Sequence, residues 1–176
     1  MPNSTVARLQ SSVQWLRRRA ENVAAALLAV MFLAFIVQIV FRYLLNFPIG
    51  WTTELSIITW LWLILWGAAF VVRESDEIRF DIIYGSVGPN GRRIMAVIIA
   101  TALVTLYALS LPAVGDYVMF MKVEETAYLD IRFDWLFSIY LVFAAASIAR
   151  YLWLGWRAIR GDAPEAPDPA KASSGI

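Results

Sequence analysis

The sequence predicts an all-α integral membrane protein with four transmembrane helices. Two observations lead to this fold class. Of the 176 residues, 60% are hydrophobic and only 16% are charged, whereas roughly a quarter of the residues in a soluble domain are charged. In addition, four apolar stretches reach the length of about 20 residues that a helix needs to cross a hydrocarbon core of about 30 Å. We therefore expect most of the chain to be surrounded by lipid.

The four predicted spans cover residues 23–45, 55–72, 94–114 and 135–154 and form one membrane domain over 23–160. Gln38 and Arg42 interrupt the first span, while the second and third contain no charged residue. Pro112 lies near the end of the third span, where a kink or an end of the helix costs little. Arg150 lies one turn before the end of the fourth span, from where an arginine side chain reaches the lipid headgroups.

The positions of Lys and Arg predict that both termini are cytoplasmic, because short cytoplasmic loops carry an excess of these residues. The basic residues are Arg8, Arg17, Arg18 and Arg19 before the first span, Arg73, Arg79, Arg92 and Arg93 between the second and third, and Arg157, Arg160 and Lys171 after the fourth. The connections at 46–54 and 115–134 contain only Lys122 and Arg132 as basic residues, among several acidic ones. These two acidic connections are expected on the outer side.

The two terminal segments have different characters. Within residues 1–22, hydrophobic side chains at spacings of three and four share one helical face. They are Val6, Leu9, Val13 and Leu16. This predicts an amphipathic cytoplasmic arm, either lying on the anionic inner leaflet or solvated. Residues 161–176 are rich in Pro, Ala, Asp and Ser and predict a disordered cytoplasmic tail. The first span exceeds the 7–15 apolar residues of a signal peptide, so we expect it to be retained.

The composition also excludes several chemistries. The chain contains no Cys and no His, which removes the usual zinc sites, bis-histidine haem, iron–sulfur clusters and histidine-dependent triads. Its net charge of +1 gives no reason to expect a nucleic-acid partner. The connections are too short for a soluble catalytic domain. We therefore expect no enzymatic activity, no catalytic residue, no cofactor and no bound metal.

The candidate functional residues lie at or near the helix ends. Arg42 and Glu54 flank the same outer connection and are candidates for an ion pair, shielded by Tyr43 and Trp51, or for contacts with a partner subunit. The alternative is that each reaches the headgroups independently. Trp62 lies one turn from Trp66 and shares its face, which leaves a partner protein, the helix bundle and lipid as open alternatives. Gly67, Ala68 and Ala69 suit close helix approach.

Three segments resemble the small membrane subunit (DctQ-like) of tripartite ATP-independent periplasmic (TRAP) transporters. They are QIVFRY at 38–43, GWTTELS at 50–56, and Trp62 followed by Gly67-Ala68-Ala69 and Val72-Arg73. The chain departs from that family in two respects. Many relatives have an acidic residue where Thr53 stands and a basic one near Ile57. A histidine common after the second helix is also missing, and Glu77 lies in that neighbourhood.

The resemblance implies a bacterial inner-membrane protein that joins a large multi-span permease and works with a periplasmic substrate-binding protein. In this family the large subunit binds substrate and sodium and moves like an elevator. The small subunit supports it in the lipid membrane and adds outer surface for the binding protein. The usual cargo is an organic acid, such as a C4-dicarboxylate or a sugar acid. The structural and partner-contact candidates are Arg42, Tyr43, Trp51, Glu54, Trp62, Gly67 and Arg73.

Two alternatives remain open from the sequence. The chain is also compatible with a self-contained homo-oligomeric carrier or channel, in which Gln38 and Arg42 would line a pore. The small subunit of another tripartite carboxylate transporter is a closer alternative, since the two kinds of subunit have similar sequence patterns.

Overall fold

The computed structural model describes residues 4–47, 49–72 and 88–161, with side chains described from residue 14 onward. This part of the chain contains four long helices and no β-strand. They are α1 (Ser4–Ile39), α2 (Trp51–Trp66), α3 (Pro89–Phe120) and α4 (Phe133–Arg160). All four are long and apolar enough to cross a membrane. The predicted fold class is confirmed.

The helices extend beyond the apolar ranges from which the spans were predicted. Helix α2 begins at Trp51, so its first turn contains the polar residues Thr52, Thr53 and Glu54. Hydropathy alone does not detect such a start, because it measures apolar side chains, whereas a helix also forms through polar residues wherever its backbone groups find hydrogen-bond partners. Helices α1 and α2 both end in a π-helical turn, at Val40–Leu44 and Gly67–Val71.

The N-terminal residues form a single helix with the first span. Helix α1 runs from Ser4 to Ile39 without a break. An i,i+4 ion pair joins Arg17 to Glu21 at 3.0 Å, and such pairs stabilise a helix slightly. The placement of the arm in the plane of the membrane stays a prediction. The predicted tail, from 162 onward, and residues 73–87 lie outside the described residues.

Helix α3 continues past Pro112, near which the sequence allowed either a kink or an end of the helix. It continues to Phe120 and closes with a 3₁₀ turn at Met121–Val123. Proline removes one backbone donor from a helix, yet the turns on both sides of it form. The helix is therefore longer at this end than the apolar range 94–114.

Two compact units can be distinguished, and helices α3 and α4 contribute residues to both. The first unit comprises Met1–Val71 and Val114–Phe143. Its buried polar side chains bond to nearby backbone: Thr52 Oγ1 donates to Ile49 O at 3.1 Å and Thr59 Oγ1 to Leu55 O at 2.7 Å. Among the described residues, no buried side-chain N or O atom lacks a hydrogen bond, as expected where water is scarce.

The second unit comprises Val72–Ala113 and Ala144–Ile176. Within it, helices α3 and α4 approach closely, because a Cβ on Gly155 would lie 3.2 Å from the Cβ of Ala100. Arg93 joins the start of α3 to the end of α4, donating from Nε to Ala158 O at 3.1 Å and from Nη2 to Ile159 O at 3.3 Å. A cation at this position also offsets the negative end of the α4 helix dipole.

Candidate functional site

The candidate residues lie mainly around two connections of the first unit. We call these the first connection (residues 45–50, between α1 and α2) and the third connection (residues 121–132, between α3 and α4). Arg42 and Tyr43 lie in the π-helical turn before the first connection, and Trp51 and Glu54 in the first turn of α2 after it. Trp62 and Gly67 lie farther along α2 and its terminal π turn, and Arg73 lies outside the described residues.

Glu54 links helix α2 to the third connection. The backbone N–H of Tyr128 donates to both carboxylate oxygens, at 3.1 and 3.2 Å, and the N–H of Leu129 donates to Oε2 at 3.1 Å. Bonds from N–H groups to a carboxylate are stronger than those between neutral groups. The position of Glu54 near the N-terminus of a helix also favours its negative charge. One side chain thus fixes the third connection to the start of α2.

The first connection contacts the same turn through Gly50. The ring of Tyr128 occupies the space where a Cβ on residue 50 would lie. Glycine therefore allows the aromatic ring to lie directly against the backbone of residue 50. Tyr128 is thus held at the start of α2 in two ways: its backbone N–H bonds to Glu54, and its ring lies against Gly50.

The third connection has an ordered backbone of its own. Glu125 and Arg132 form an isolated antiparallel bridge, and Thr126 N–H donates to Ile131 O at 3.0 Å. The hydroxyl of Thr126, a residue only 9% exposed, accepts from Ile131 N–H at 3.1 Å. Asp130 adopts a φ of +51°, a left-handed conformation that Asp tolerates better than most residues. The connection is a closed turn held at its base.

The expected ion pair between Arg42 and Glu54 is not formed within the part of the chain that the structure describes. The Arg42 guanidinium instead lies over the ring of Tyr43, 5.8 Å from its centroid. The physical reason is the turn at Tyr128 and Leu129, whose neighbouring N–H groups provide donors for the two carboxylate oxygens. Sequence reasoning missed these two residues, because backbone donors carry no side-chain signature.

Gln38, the polar residue that interrupts the first span, is paired at the same end of α1 and α2. Its Nε2 donates to Thr53 Oγ1 at 3.0 Å. Hydrogen bonds between side chains of neighbouring helices help to join them in a membrane, where polar groups have few other partners. Thr53, which stands where an acidic residue was expected from the resemblance, thus retains a polar role.

The face shared by Trp62 and Trp66 packs inside the chain. The Trp62 indole N–H donates to Leu136 O at 3.1 Å, and its ring stacks on Trp135 with centroids 6.0 Å apart and an interplanar angle of 9°. The Trp66 indole N–H donates to Ala20 O at 3.0 Å. Of the alternatives that the sequence left open, packing within the first unit is therefore the one that the structure contains. The two tryptophans join α2 to α4 and α1.

Gly67 does not serve close packing within the described residues. No atom of a neighbouring element among them lies within 4 Å of a Cβ placed on it. Tyr43 is likewise 75% exposed. Both positions present surface to whatever surrounds this chain.

A comparison with protein families decides what kind of protein carries these features. The family model of the DctQ component of tripartite ATP-independent periplasmic transporters matches residues 31–161. The chain belongs to this family. A search of curated proteins gives no match. The match includes the end of α1, the first and third connections, and all of α2, α3 and α4, so the cluster around Glu54 lies within the family's region.

The DctQ family identifies the chain as a component of a transporter and not as an enzyme. With four helices able to cross a membrane, it is a multi-pass membrane protein and the small subunit of a TRAP transporter. Its apolar surface suits this setting. An open groove of about 690 Å³ lies between α1 and α2. Leu28, Phe32, Phe35 and Trp60 line it, and each of these side chains is at least half exposed.

Proposed function

We propose that this chain is the fixed scaffold subunit of a secondary, sodium-coupled TRAP transporter in a bacterial inner membrane. The transporter would import an organic acid that a periplasmic binding protein delivers. In this arrangement the chain supports the large elevator subunit and does not itself bind substrate. Membership of the DctQ family supports the assembly with two further components.

The observation that carries the scaffold role is the cluster around Glu54. Glu54, Gly50 and Tyr128 join the two connections, which the distribution of Lys and Arg predicts to lie outside. A fixed subunit needs ends that keep their shape while another subunit moves, and bonds between connections provide this rigidity. The turn of the third connection exposes Glu124, Glu125 and Asp130, and these acidic side chains offer a charged surface to a soluble partner.

The spans themselves support the absence of a substrate site. The ranges 55–72 and 94–114 contain no charged residue, and Arg42 and Arg150 lie near the ends of the other two spans. Coupling ions and carboxylate substrates need ligands near the middle of the membrane. The proposed orientation places both termini in the cytoplasm. The proposed arm at 1–22 and tail at 161–176 lie on that side. Arg42, Tyr43, Trp51, Glu54, Trp62, Gly67 and Arg73 keep their proposed structural and partner-contact roles.

Reconstitution tests this proposal directly. The tagged chain is recovered from detergent-solubilised native membranes, and the proteins that stay bound through size exclusion are identified by mass spectrometry. We expect a large permease in roughly equal amount. The complex is then placed in liposomes with the binding protein, and uptake of labelled C4-dicarboxylates and sugar acids is measured with and without an inward sodium gradient.

The proposal requires uptake to depend on all three proteins and on sodium. Solute transport by this chain alone would overturn it and favour a homo-oligomeric carrier. Equal uptake by the large permease and binding protein without this chain would refute the scaffold role. Sodium-independent uptake would refute the proposed coupling ion but leave the assembly intact.

A further inference from the structure

We propose that the groove between the start of helix α3 and the end of helix α4 binds an anionic phospholipid, with the phosphate near Asn90 and Arg93. The groove lies within the second unit and has a volume of about 520 Å³. Asn90 and Arg93 line its polar part, and Ile94, Val97, Ile98 and Ile159 line its apolar part. Asn90 and Ile98 are about 12 Å apart along α3, at 1.5 Å per residue. This is an amphipathic groove at the ends of two membrane helices.

Arg93 supplies the charge at the polar end and is held in place. Its bonds from Nε and Nη2 to the carbonyl oxygens of Ala158 and Ile159 fix the guanidinium at the end of α4. A guanidinium carries five N–H donors, so these two bonds by themselves do not exhaust its capacity. Arginine fixed in this way suits the oxygen atoms of a phosphate.

In the part of the second unit that the structure describes, the charged residues are all arginines. Residues 72, 88–113 and 144–161, the described part of the second unit, contain five arginines and no Asp or Glu. Arg160 follows Ile159 directly in the chain. The Arg160 guanidinium lies over the Trp156 ring, 4.4 Å from its centroid, as expected for side chains at a membrane interface. Arg93, which lines the groove itself, provides the positive charge for an anion.

The apolar part of the groove decides which anion fits. Ile94, Ile98 and Ile159 are 62%, 60% and 65% exposed. The first of them, Ile94, follows Arg93 directly in the chain. A free phosphate would leave these side chains uncovered, whereas a phospholipid offers a phosphate and a hydrocarbon chain on one molecule. Basic pockets between membrane helices bind anionic headgroups in this way. The complementarity of charge and hydrocarbon thus favours a lipid.

Native mass spectrometry of the full-length chain tests the proposal. The purified chain is given an equimolar mixture of phosphatidylglycerol and phosphatidylcholine with identical acyl chains. We expect the wild type to retain phosphatidylglycerol about five-fold over phosphatidylcholine, the factor that one basic residue near a headgroup provides. Asn90→Asp should bring the ratio close to one. Asn90 lies in the first turn of α3, where a negative charge does not weaken the helix.

Matched variants separate the groove from general charge. Asn90→Gln keeps the charge and should keep the preference. Lys122→Gln removes a positive charge from the third connection, outside the second unit, and should also keep it. Ile98→Trp fills the apolar part with all charges unchanged and should reduce retention of phosphatidylglycerol. A thermal melt of each variant verifies folding.

Three results would overturn the proposal. One is equal retention of both lipids by the wild type. Another is a failure of the variants: undiminished preference in folded Asn90→Asp, undiminished retention of phosphatidylglycerol in folded Ile98→Trp, or a loss of preference in Lys122→Gln as large as that in Asn90→Asp. The third is displacement of phosphatidylglycerol by millimolar inorganic phosphate, which would show that the site recognises the phosphate alone.

Discussion

At the scale of single residues, the carboxylate of Glu54 joins parts of the chain that are far apart in sequence. It accepts from the N–H groups of Tyr128 and Leu129, more than seventy residues away. Gly50 contributes by the absence of a side chain, since the Tyr128 ring occupies the position of its missing Cβ. The attachment of the third connection to the start of α2 therefore depends on very few atoms.

Replacing Glu54 with alanine should loosen this turn. Amide exchange at Tyr128 and Leu129 should accelerate by about tenfold, equivalent to about 1.4 kcal/mol, since their N–H groups lose a charged acceptor but regain water. Hydrogen exchange in detergent measures this effect. Glu124→Ala is the matched control, because it removes an exposed carboxylate from the same connection. Unchanged exchange in Glu54→Ala would show that the turn is held by other contacts.

At the scale of helices, tryptophan side chains join α2 to its neighbours. Trp62 contacts α4 by a hydrogen bond and by stacking, and Trp66 contacts α1 by a hydrogen bond. Side chains of this kind stabilise packing in lipid, where burial of apolar area gives little driving force between helices. Trp60, by contrast, is 54% exposed and lines the open groove between α1 and α2.

Trp62→Phe should therefore destabilise the chain more than Trp60→Phe. The first substitution removes the bond to Leu136 O and weakens the stacking on Trp135, a loss of about 1–3 kcal/mol. The second removes the same chemical group from an exposed position. Thermal unfolding of both variants in the same detergent makes the comparison. Equal melting temperatures for the two variants would contradict the role assigned to Trp62.

At the scale of the whole molecule, much of the apolar surface faces outward, as expected for a subunit surrounded by lipid and a partner. Gly67 gives a specific test of the partner contact. A Cβ placed there has no described neighbour within 4 Å, so Gly67→Leu should leave the isolated chain folded. In the complex it should reduce recovery of the large permease by about tenfold, because a side chain would block a close helix contact.

The control for Gly67→Leu is Gly115→Leu, at a glycine in α3 that is equally open within the described residues. It should leave recovery of the permease unchanged. Full recovery with Gly67→Leu would remove Gly67 from the partner interface and leave the other candidates to be tested.

The orientation of the molecule can be measured without background substitutions, because the chain contains no Cys. Lys122→Cys should react with a membrane-impermeant maleimide in intact cells whose outer membrane is permeable to it. Asn90→Cys should react only after the inner membrane is opened. Both positions are exposed. The reverse pattern would place the termini outside and refute the orientation derived from Lys and Arg.

The sequence by itself determined the fold class and the family. Four apolar stretches of sufficient length require helices in lipid, because backbone N–H and C=O groups have no other partners there. The motifs around Arg42, Glu54 and Gly67 indicated the DctQ family, which the family model matches over residues 31–161. These properties are local in the chain, so patterns of neighbouring residues are sufficient to reveal them.

Only the tertiary structure decided the partners of the candidate residues. Sequence proximity favoured Arg42 as the partner of Glu54, but the carboxylate binds two backbone N–H groups of the third connection. The tertiary structure also determined that Trp62 contacts Leu136 and Trp135 and that Arg93 bonds to the end of α4. The physical reason is that backbone donors and carbonyls are the same at every residue, so the packing of the helices alone selects which of them a side chain meets.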